Sequence, residues 1–455
     1  MTRIELLRRL AAGRAGLREI SNLDVSGQVC GINSQSVQVT GLSHHIRVGD
    51  QVAFGDIGAD RIIGEVASVQ VGVAHVLTFD ALHGVGVGSR AIRRKGGGLL
   101  HVSDDWLGRV IDPLGRPLDG KGSLAVGSVG RSVRAAPPPA IQRARLGPRM
   151  DLGVRALDLF TPCRQGQRLG LFAGSGIGKS TLLATLARFS QCDVVILSLI
   201  GERGREVREF LEDDLGAEGL ARAVVVVATS DAPALTRRQA GFAAMTVAEH
   251  FRDQGLSVVL LVDSVTRFCH ALREIGLAAG EPPATRGFPP SVFAHLPRLL
   301  ERAGPGIADA NGKTGQITAF FTVLVEGDDH DEPVADATRG ILDGHVILDR
   351  KIAEAGRYPP VDVLRSLSRT AQGILTEAEW AVIRSARAIL SQHANMSDLI
   401  RLGAYRAGTD STVDAAIRLA PKIEALLRQE KGAHMGARDS FAALVEIVAG
   451  DGKWN

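Results

Sequence analysis

The stretch GLFAGSGIGKSTLLATLARF, Gly170 to Phe189, decides how the rest of the 455-residue chain is read. It sets an apolar strand, a glycine-rich loop and a helical run in immediate succession, the P-loop arrangement, with Ala173 where the strict pattern has glycine. In the loop Gly174-Ser175-Gly176-Ile177-Gly178, three glycines let backbone N–H groups converge on phosphate oxygens. Lys179 can reach the β- and γ-phosphates, the hydroxyl of Ser180 can ligand Mg²⁺, and Thr181 continues the helix. The first position need only turn tightly, so the methyl group of Ala173 is tolerable. A glycine turn can arise by chance, but here both the strand and the helix that give the motif its mechanism are present.

Working outward from that loop, apolar runs alternate with helical stretches between Val154 and about Arg350: RLGLFA, VVILSLI, AVVVVAT, SVVLLVD, QITAFFTVL and HVILD. Near-continuous Val, Ile and Leu are what strands buried on both faces require, so the pattern predicts a doubly wound, mainly parallel sheet. SVVLLVD ends at Asp263, the form of an acid that holds Mg²⁺ through its water shell; a strand-end Asp can also cap the next helix. VVILSLI runs into GERGREVREF, which places Glu202 at the end of a strand, where open α/β sheets bind ligands. Glu202 is the candidate general base. The alternative is a solvated helix start on which Glu202, Arg203, Arg205, Glu206, Arg208 and Glu209 pair along one surface.

The flanks read differently. Residues 21–95 carry short β-rich runs, SVQVTGL, RVGDQVAFG, RIIGEVASVQ and GVAHVLTF, bounded by Gly or Asp turns, which predicts a small β-barrel. Base stacking would need exposed rings, and only Phe54 and Phe79 are available, so a scaffolding barrel is favoured over an oligonucleotide binder. KGGG (95–98), LGRVIDPLGRPLDGKG and Pro137 to Pro139 read as a connector. Residues 371–455 contain EAEWAVIRSARAILSQ and VDAAIRLAPKIEALLRQ, a C-terminal helical domain after a P-loop domain spanning 96–370. At the other end, residues 1–20 form a basic amphipathic helix, either packed on the body or docking a partner or an acidic lipid surface.

Composition narrows the function classes. With 53 Lys and Arg against 50 Asp and Glu, the formal charge of +3 gives no global field for nucleic acid, and none is expected as a partner. No run of about eighteen uncharged apolar residues occurs, which predicts a cytoplasmic protein without membrane spans. Cys30, Cys163, Cys192 and Cys269 form no C-x-x-C pair and read as reduced core thiols; the 12 histidines show no ligand spacing, and His44–His45 reads as a loop pair.

Taken in order, AGSGIGKST, GERGREVREF, LLVDSVTRF, GEPPATRGFPPSVF, TVLVEGDDHDEPVAD and YPPVDVLRSLSR resemble the rotary ATPase α/β superfamily. REIGLAAGEPPATRGFPPSVFAHLPRLLERAG, VEGDDHDEPVADATRGILDGHVILDRKIAEAGRYP and LIRLGAYRAGTDSTVDAAIRLAPKIEALLRQ look more like its type III protein export ATPases than like a synthase β-subunit, and ERAGPG with RGILDGHVILDRKIAE looks flagellar. The resemblance implies a RecA-like P-loop domain between a barrel and a helical domain, and ATP hydrolysis with Mg²⁺ in a homohexameric ring. It implies that Lys179 and Ser180 bind phosphate and metal, that Glu202 activates water, that Arg203 faces the phosphates, and that Glu206 and Asp263 order the metal's waters. It further implies that Arg267 contacts the γ-phosphate, that Tyr358 stacks on adenine, and that Arg369 is an arginine finger in the neighbouring subunit's site. Tyr358 as a packed aromatic and Arg369 as a structural ion pair are the plainer readings. Implied partners are a stator-like regulator on the N-terminal helix, a coiled-coil stalk, chaperone–substrate complexes and a membrane export gate, at the cytoplasmic face of the inner membrane. The remaining alternatives are an injectisome ATPase, an ATP synthase catalytic subunit, a non-hydrolysing ring subunit and a nucleic-acid translocase.

Overall fold

Period-two alternation builds the first layer of the molecule. The computed structural model describes residues 24–33, 36–55, 61–174, 176–309, 312–325 and 332–449. The helix expected over residues 1–20 and Ser175 of the loop lie outside them. Strands β1 (Ser26–Ile32), β2 (Ser36–Thr40), β3 (Gln51–Phe54), β4 (Ile62–Gln70), β5 (Val73–Thr78) and β6 (Arg90–Arg94) close into a barrel in the order β1-β2-β5-β4-β3-β6. In β2, Val37 and Val39 point inward and are fully buried while their neighbours are partly exposed, the geometry that alternation dictates. Phe54 and Phe79 are each 1% exposed, so neither ring is at the surface to stack on a base.

The six expected strands lie in one nine-stranded sheet with three more that the apolar runs did not predict. In chain order these are β7 (Arg109–Ile111), β8 (Arg168–Ala173), β9 (Val194–Glu202), β10 (Ala223–Thr229), β11 (Ser257–Asp263), β12 (Gly304–Pro305), β13 (Gln316–Leu324), β14 (Gly344–Leu348) and β15 (Val361–Ser368). Their spatial order is β15-β14-β8-β13-β11-β9-β10-β7, with β12 paired to β13. All pairings are parallel except β12–β13 and β14–β15. Burial on both faces explains the unbroken apolar runs: all of Val194 to Gly201 in β9 is buried.

Helices cover both faces. On one lie α1 (Lys179–Phe189), the short α2 (Gly204–Glu209) and the C-terminal α7 (Glu377–Arg401), α8 (Ser411–Leu427) and α9 (Ala437–Ala449). On the other lie α3 (Ala234–Arg252), α4 (Val265–Ala278), α5 (Pro290–Leu300) and α6 (Pro333–Ile341). A Thr376 capping box starts α7, with the Glu379 side chain returning to the Thr376 backbone. Among the described residues no helix is long and apolar enough to cross a membrane.

Two expectations are corrected. The connector contributes to the core: β7 is an edge strand whose Arg109 pairs with Val224, and Trp106 and Ile111 are 3% and 0% exposed. A three-residue strand carries no period to read, and Arg109 is held in place by Asp119 at 2.7 Å within the turn-rich segment that hid it. Among the four free cysteines, Cys163 and Cys269 are buried, but Cys30 is exposed on β1 and Cys192 is half-buried.

Candidate active site

The glycine-rich loop leaves β8 at its C-terminal end. Ala173 does not turn: it is the last paired strand residue, opposite Leu324 and Leu348, and is fully buried. A methyl group is accommodated because the position belongs to the core, a different reason from a tolerant turn. The turn falls on the glycines that follow. Gly178 is left-handed at φ 87° and caps α1, and a Cβ there would lie 3.3 Å from Cε1 of Tyr358. Ile177 is buried beneath the loop, while Ser180 is exposed in the first turn of α1.

Two strand ends deliver charge to Lys179. Its Nζ lies 2.5 Å from Oδ1 of Asp263 and 3.7 Å from Oε1 of Glu202. Thr322 on β13 donates to the same Asp263 oxygen at 2.8 Å and fixes the carboxylate. Gly201 has φ 70° and is the residue left out at a register shift between Ile200 and Glu202; Glu202 re-enters the ladder opposite Thr229. A Cβ at Gly201 would meet Cδ of Arg267 at 2.8 Å. Arg267, in the first turn of α4 after the Ser264 cap, donates to the Gly201 carbonyl and places Nε 3.7 Å from Glu202.

Glu202 Oε1 is buried without a hydrogen-bond partner, an arrangement suited to a ligand or water that the site is shaped to receive. Burial raises the pKa of Glu202, and the Asp263 charge raises it further; Lys179 and Arg267 oppose both. A carboxylate with raised basicity beside a phosphate loop is suited to take a proton. Glu206 pairs with Arg203 at 3.2 Å, and its proximity also raises the pKa of Glu202. In that pair the Arg203 side chain is 75% exposed. The surface-pairing alternative therefore holds for Arg203–Glu206, Arg205–Glu209 and Arg208–Glu212, and fails for Glu202 alone.

Tyr358 stands beside the loop and is 48% exposed. With Gly178, Thr181, Leu182 and Thr185 it lines a cavity of about 330 Å³. The far wall was not legible in the sequence: Arg428, Gln429, Glu430 and Lys431, just beyond α8, close it. They carry no motif, and only the antiparallel return of α8 brings them back to the loop. A second cleft of about 600 Å³ opens beside Gly201, Thr266, Arg267, His270, Arg273 and Glu274.

Arg369 is not part of this cluster. Strand β15 runs antiparallel to β14, with Val361 opposite Leu348 and Ser368 opposite Gly344. Since Leu348 and Ala173 are paired, the Tyr358 end of β15 is the loop end of the sheet and the Arg369 end is the opposite one. Seven residue steps along a strand are about 23 Å, beyond the reach of an arginine side chain. Arg369 is exposed and donates to the Arg339 carbonyl at 3.4 Å; among the described residues it enters no ion pair.

A parallel sheet with a phosphate loop, buried acids at the ends of nearby strands and a C-terminal helical layer define a P-loop nucleoside triphosphatase. Two family models match the chain: the nucleotide-binding domain of the ATP synthase alpha/beta family over residues 153–368, and the T3SS EscN ATPase C-terminal domain over residues 375–446. The chain is 50% identical over 435 residues to the flagellum-specific ATP synthase of Caulobacter vibrioides, covering 95% of this chain and 98% of that one. It is 43% identical over 441 residues to the type 3 secretion system ATPase of Xanthomonas euvesicatoria, covering 95% and 97%. The assembled ATPase EscN in complex with its central stalk EscO, from enteropathogenic E. coli, superposes with TM-score 0.84 at 37% identity, over 93% of this chain and 100% of that one. The chain belongs to the ATP synthase alpha/beta family, in the branch that contains the flagellar and type III secretion ATPases.

Proposed function

We infer that the chain is an ATPase of flagellar protein export, acting as a homohexameric ring. The observation that carries the catalytic reading is the convergence of Lys179, Asp263 and Glu202, with one oxygen of Glu202 buried and unpartnered. Backbone N–H groups of Gly174 to Gly178 cradle the phosphates, with Ser175 and Ile177 in the same loop, and Lys179 balances the charge on the β- and γ-phosphates. Glu202 orients the attacking water and accepts its proton as the γ-phosphoryl group transfers; Arg267 holds Glu202 in place and faces that group. Tyr358 stacks on adenine over Gly178.

Mg²⁺ fits these residues. Ser180 offers a hydroxyl and Asp263 a carboxylate, and this ion is commonly held by one or two such groups together with phosphate oxygens. When bound, it would neutralise charge on the transferring phosphoryl group. Glu206 stands behind Glu202 as an orienting carboxylate, and Arg203, exposed beside it, has its phosphate role only if α2 moves inward.

Arg369 serves the site of an adjoining subunit, entering by the cleft beside Arg267. Support for the ring comes from the split of Tyr358 and Arg369 to opposite ends of one strand and from the likeness to an assembled ATPase. A stalk in the ring, a stator-like regulator at residues 1–20, chaperone–substrate complexes at the C-terminal helices and a gate at the cytoplasmic face of the inner membrane complete the reading. The flagellar assignment over the injectisome rests on the higher identity to the flagellar relative. The test is ATP turnover of the purified chain: Lys179→Ala and Glu202→Gln should abolish it, and wild-type rates in both would refute the site.

A further inference from the structure

The wall of the base cavity and the segment carrying Glu202 meet at a contact that the reaction above does not use. Gln429 is 6% exposed and pinned at four points. Its N–H donates to the Tyr358 carbonyl at 2.7 Å, its Oε1 accepts from the Arg155 N–H at 3.1 Å, and its Nε2 donates to the carbonyls of Gly153 at 2.8 Å and Ala433 at 2.6 Å. That fixes the segment after α8 against the core. Two residues on, Lys431 lines the cavity and its Nζ lies 2.8 Å from Oδ1 of Asp214.

Asp214 belongs to a π turn, Phe210–Leu215, that continues α2 without a break, and α2 begins two residues after Glu202. Phe210 and Leu215 are buried anchors of that turn, at 5% and 0% exposure. Single π turns are frequent at functional sites, where a widened turn alters how the following residues are presented. A contiguous set of groups therefore runs from Tyr358 through Gln429, Lys431 and Asp214 to α2, which begins two residues after Glu202.

We propose that the Lys431–Asp214 ion pair positions Glu202 according to whether a base fills the cavity, which makes both residues positioning residues for hydrolysis. The proposal rests on the nucleotide-site reading above. A purine entering between Tyr358 and the Arg428–Lys431 wall sets where that wall stands, and the pair transmits its place to the π turn and so to α2. Asp214 does not line the cavity, so a change there that alters turnover must act through the pair or through α2.

The test measures kcat and KM for ATP in the full-length protein carrying Lys431→Met, Asp214→Asn, both together, Lys431→Arg, and the exchange Lys431→Asp with Asp214→Lys. A half-exposed ion pair gives each single change a loss of about two- to fivefold in kcat. The double variant should lose no more than either single one, Lys431→Arg should keep more turnover than Lys431→Met, and the exchanged pair should recover part of the loss. Wild-type kcat in both single variants, or losses that multiply in the double variant with no recovery on exchange, would overturn the proposal. Lys179→Ala, run alongside, separates the two claims: loss of turnover there with an unaffected Lys431→Met ends only the positioning role, whereas wild-type turnover in Lys179→Ala ends the site reading itself.

Discussion

The two ends of β15 differ in nearly every physical respect. At one end, Tyr358 lies in contact range of the phosphate loop, closes a cavity with α1 and is tied through its carbonyl to Gln429. At the other end Arg369 is exposed, is anchored by its backbone N–H to the Asp343 carbonyl, and aims its guanidinium at no carboxylate among the described residues. The first end is walled by residues of one chain, and the second carries a charge that meets no opposite charge among the described residues. In the function proposed above, such a strand would make hydrolysis depend on a second copy, because arginine supplied in trans can stabilise the transferring phosphoryl group.

Substitutions at the two ends should therefore separate binding from turnover. Arg369→Ala is expected to lower kcat by about three to five orders of magnitude while leaving nucleotide affinity and the Tm of the chain near wild type. Steady-state ATPase assays with fluorescent nucleotide titration check both halves; loss of affinity equal to the loss of rate would break the comparison. Glu202→Gln keeps shape and removes the base, for an expected loss of about two to four orders in kcat with ATP still bound. Tyr358→Ala should act at the other end, weakening nucleotide binding by about 1–3 kcal/mol, read as a raised KM with a smaller change in kcat.

The smallest effect is in pH dependence. Glu202 must be ionised to accept a proton, and its raised pKa means that turnover falls as pH drops through that raised value. Arg267→Ala removes one of the two cations that oppose the rise, so the acid limb of the kcat profile should move to higher pH. Removing the Asp263 charge with Asp263→Asn should move whatever activity remains the other way.

Much of this was legible because the chemistry is local in sequence. The loop, Glu202 and Asp263 each sit at the end of an apolar run, and a parallel sheet brings all such ends to one edge. The barrel was legible from alternation in strands such as β2. What escaped had no period or motif: β7 has three residues, and Arg428 to Lys431 reach the cavity only through the packing of the C-terminal helices. The bulge at Gly201 was hidden for another reason, since a positive φ leaves no mark beyond the glycine itself. The surface pairing of Arg203 with Glu206 carries no mark in the sequence, since its charge and position in GERGR read as those of a site residue.

The central claim is that one catalytic site is built from the loop of one subunit and Arg369 of the next. Mixing Arg369→Ala with Lys179→Ala subunits tests it most directly, because a mixed ring contains interfaces with an intact loop on one side and an intact arginine on the other. ATP turnover of co-assembled mixtures should exceed that of either variant alone and peak near equal proportions. Turnover no higher than the two separate variants, in rings shown to contain both, would contradict the assignment in trans.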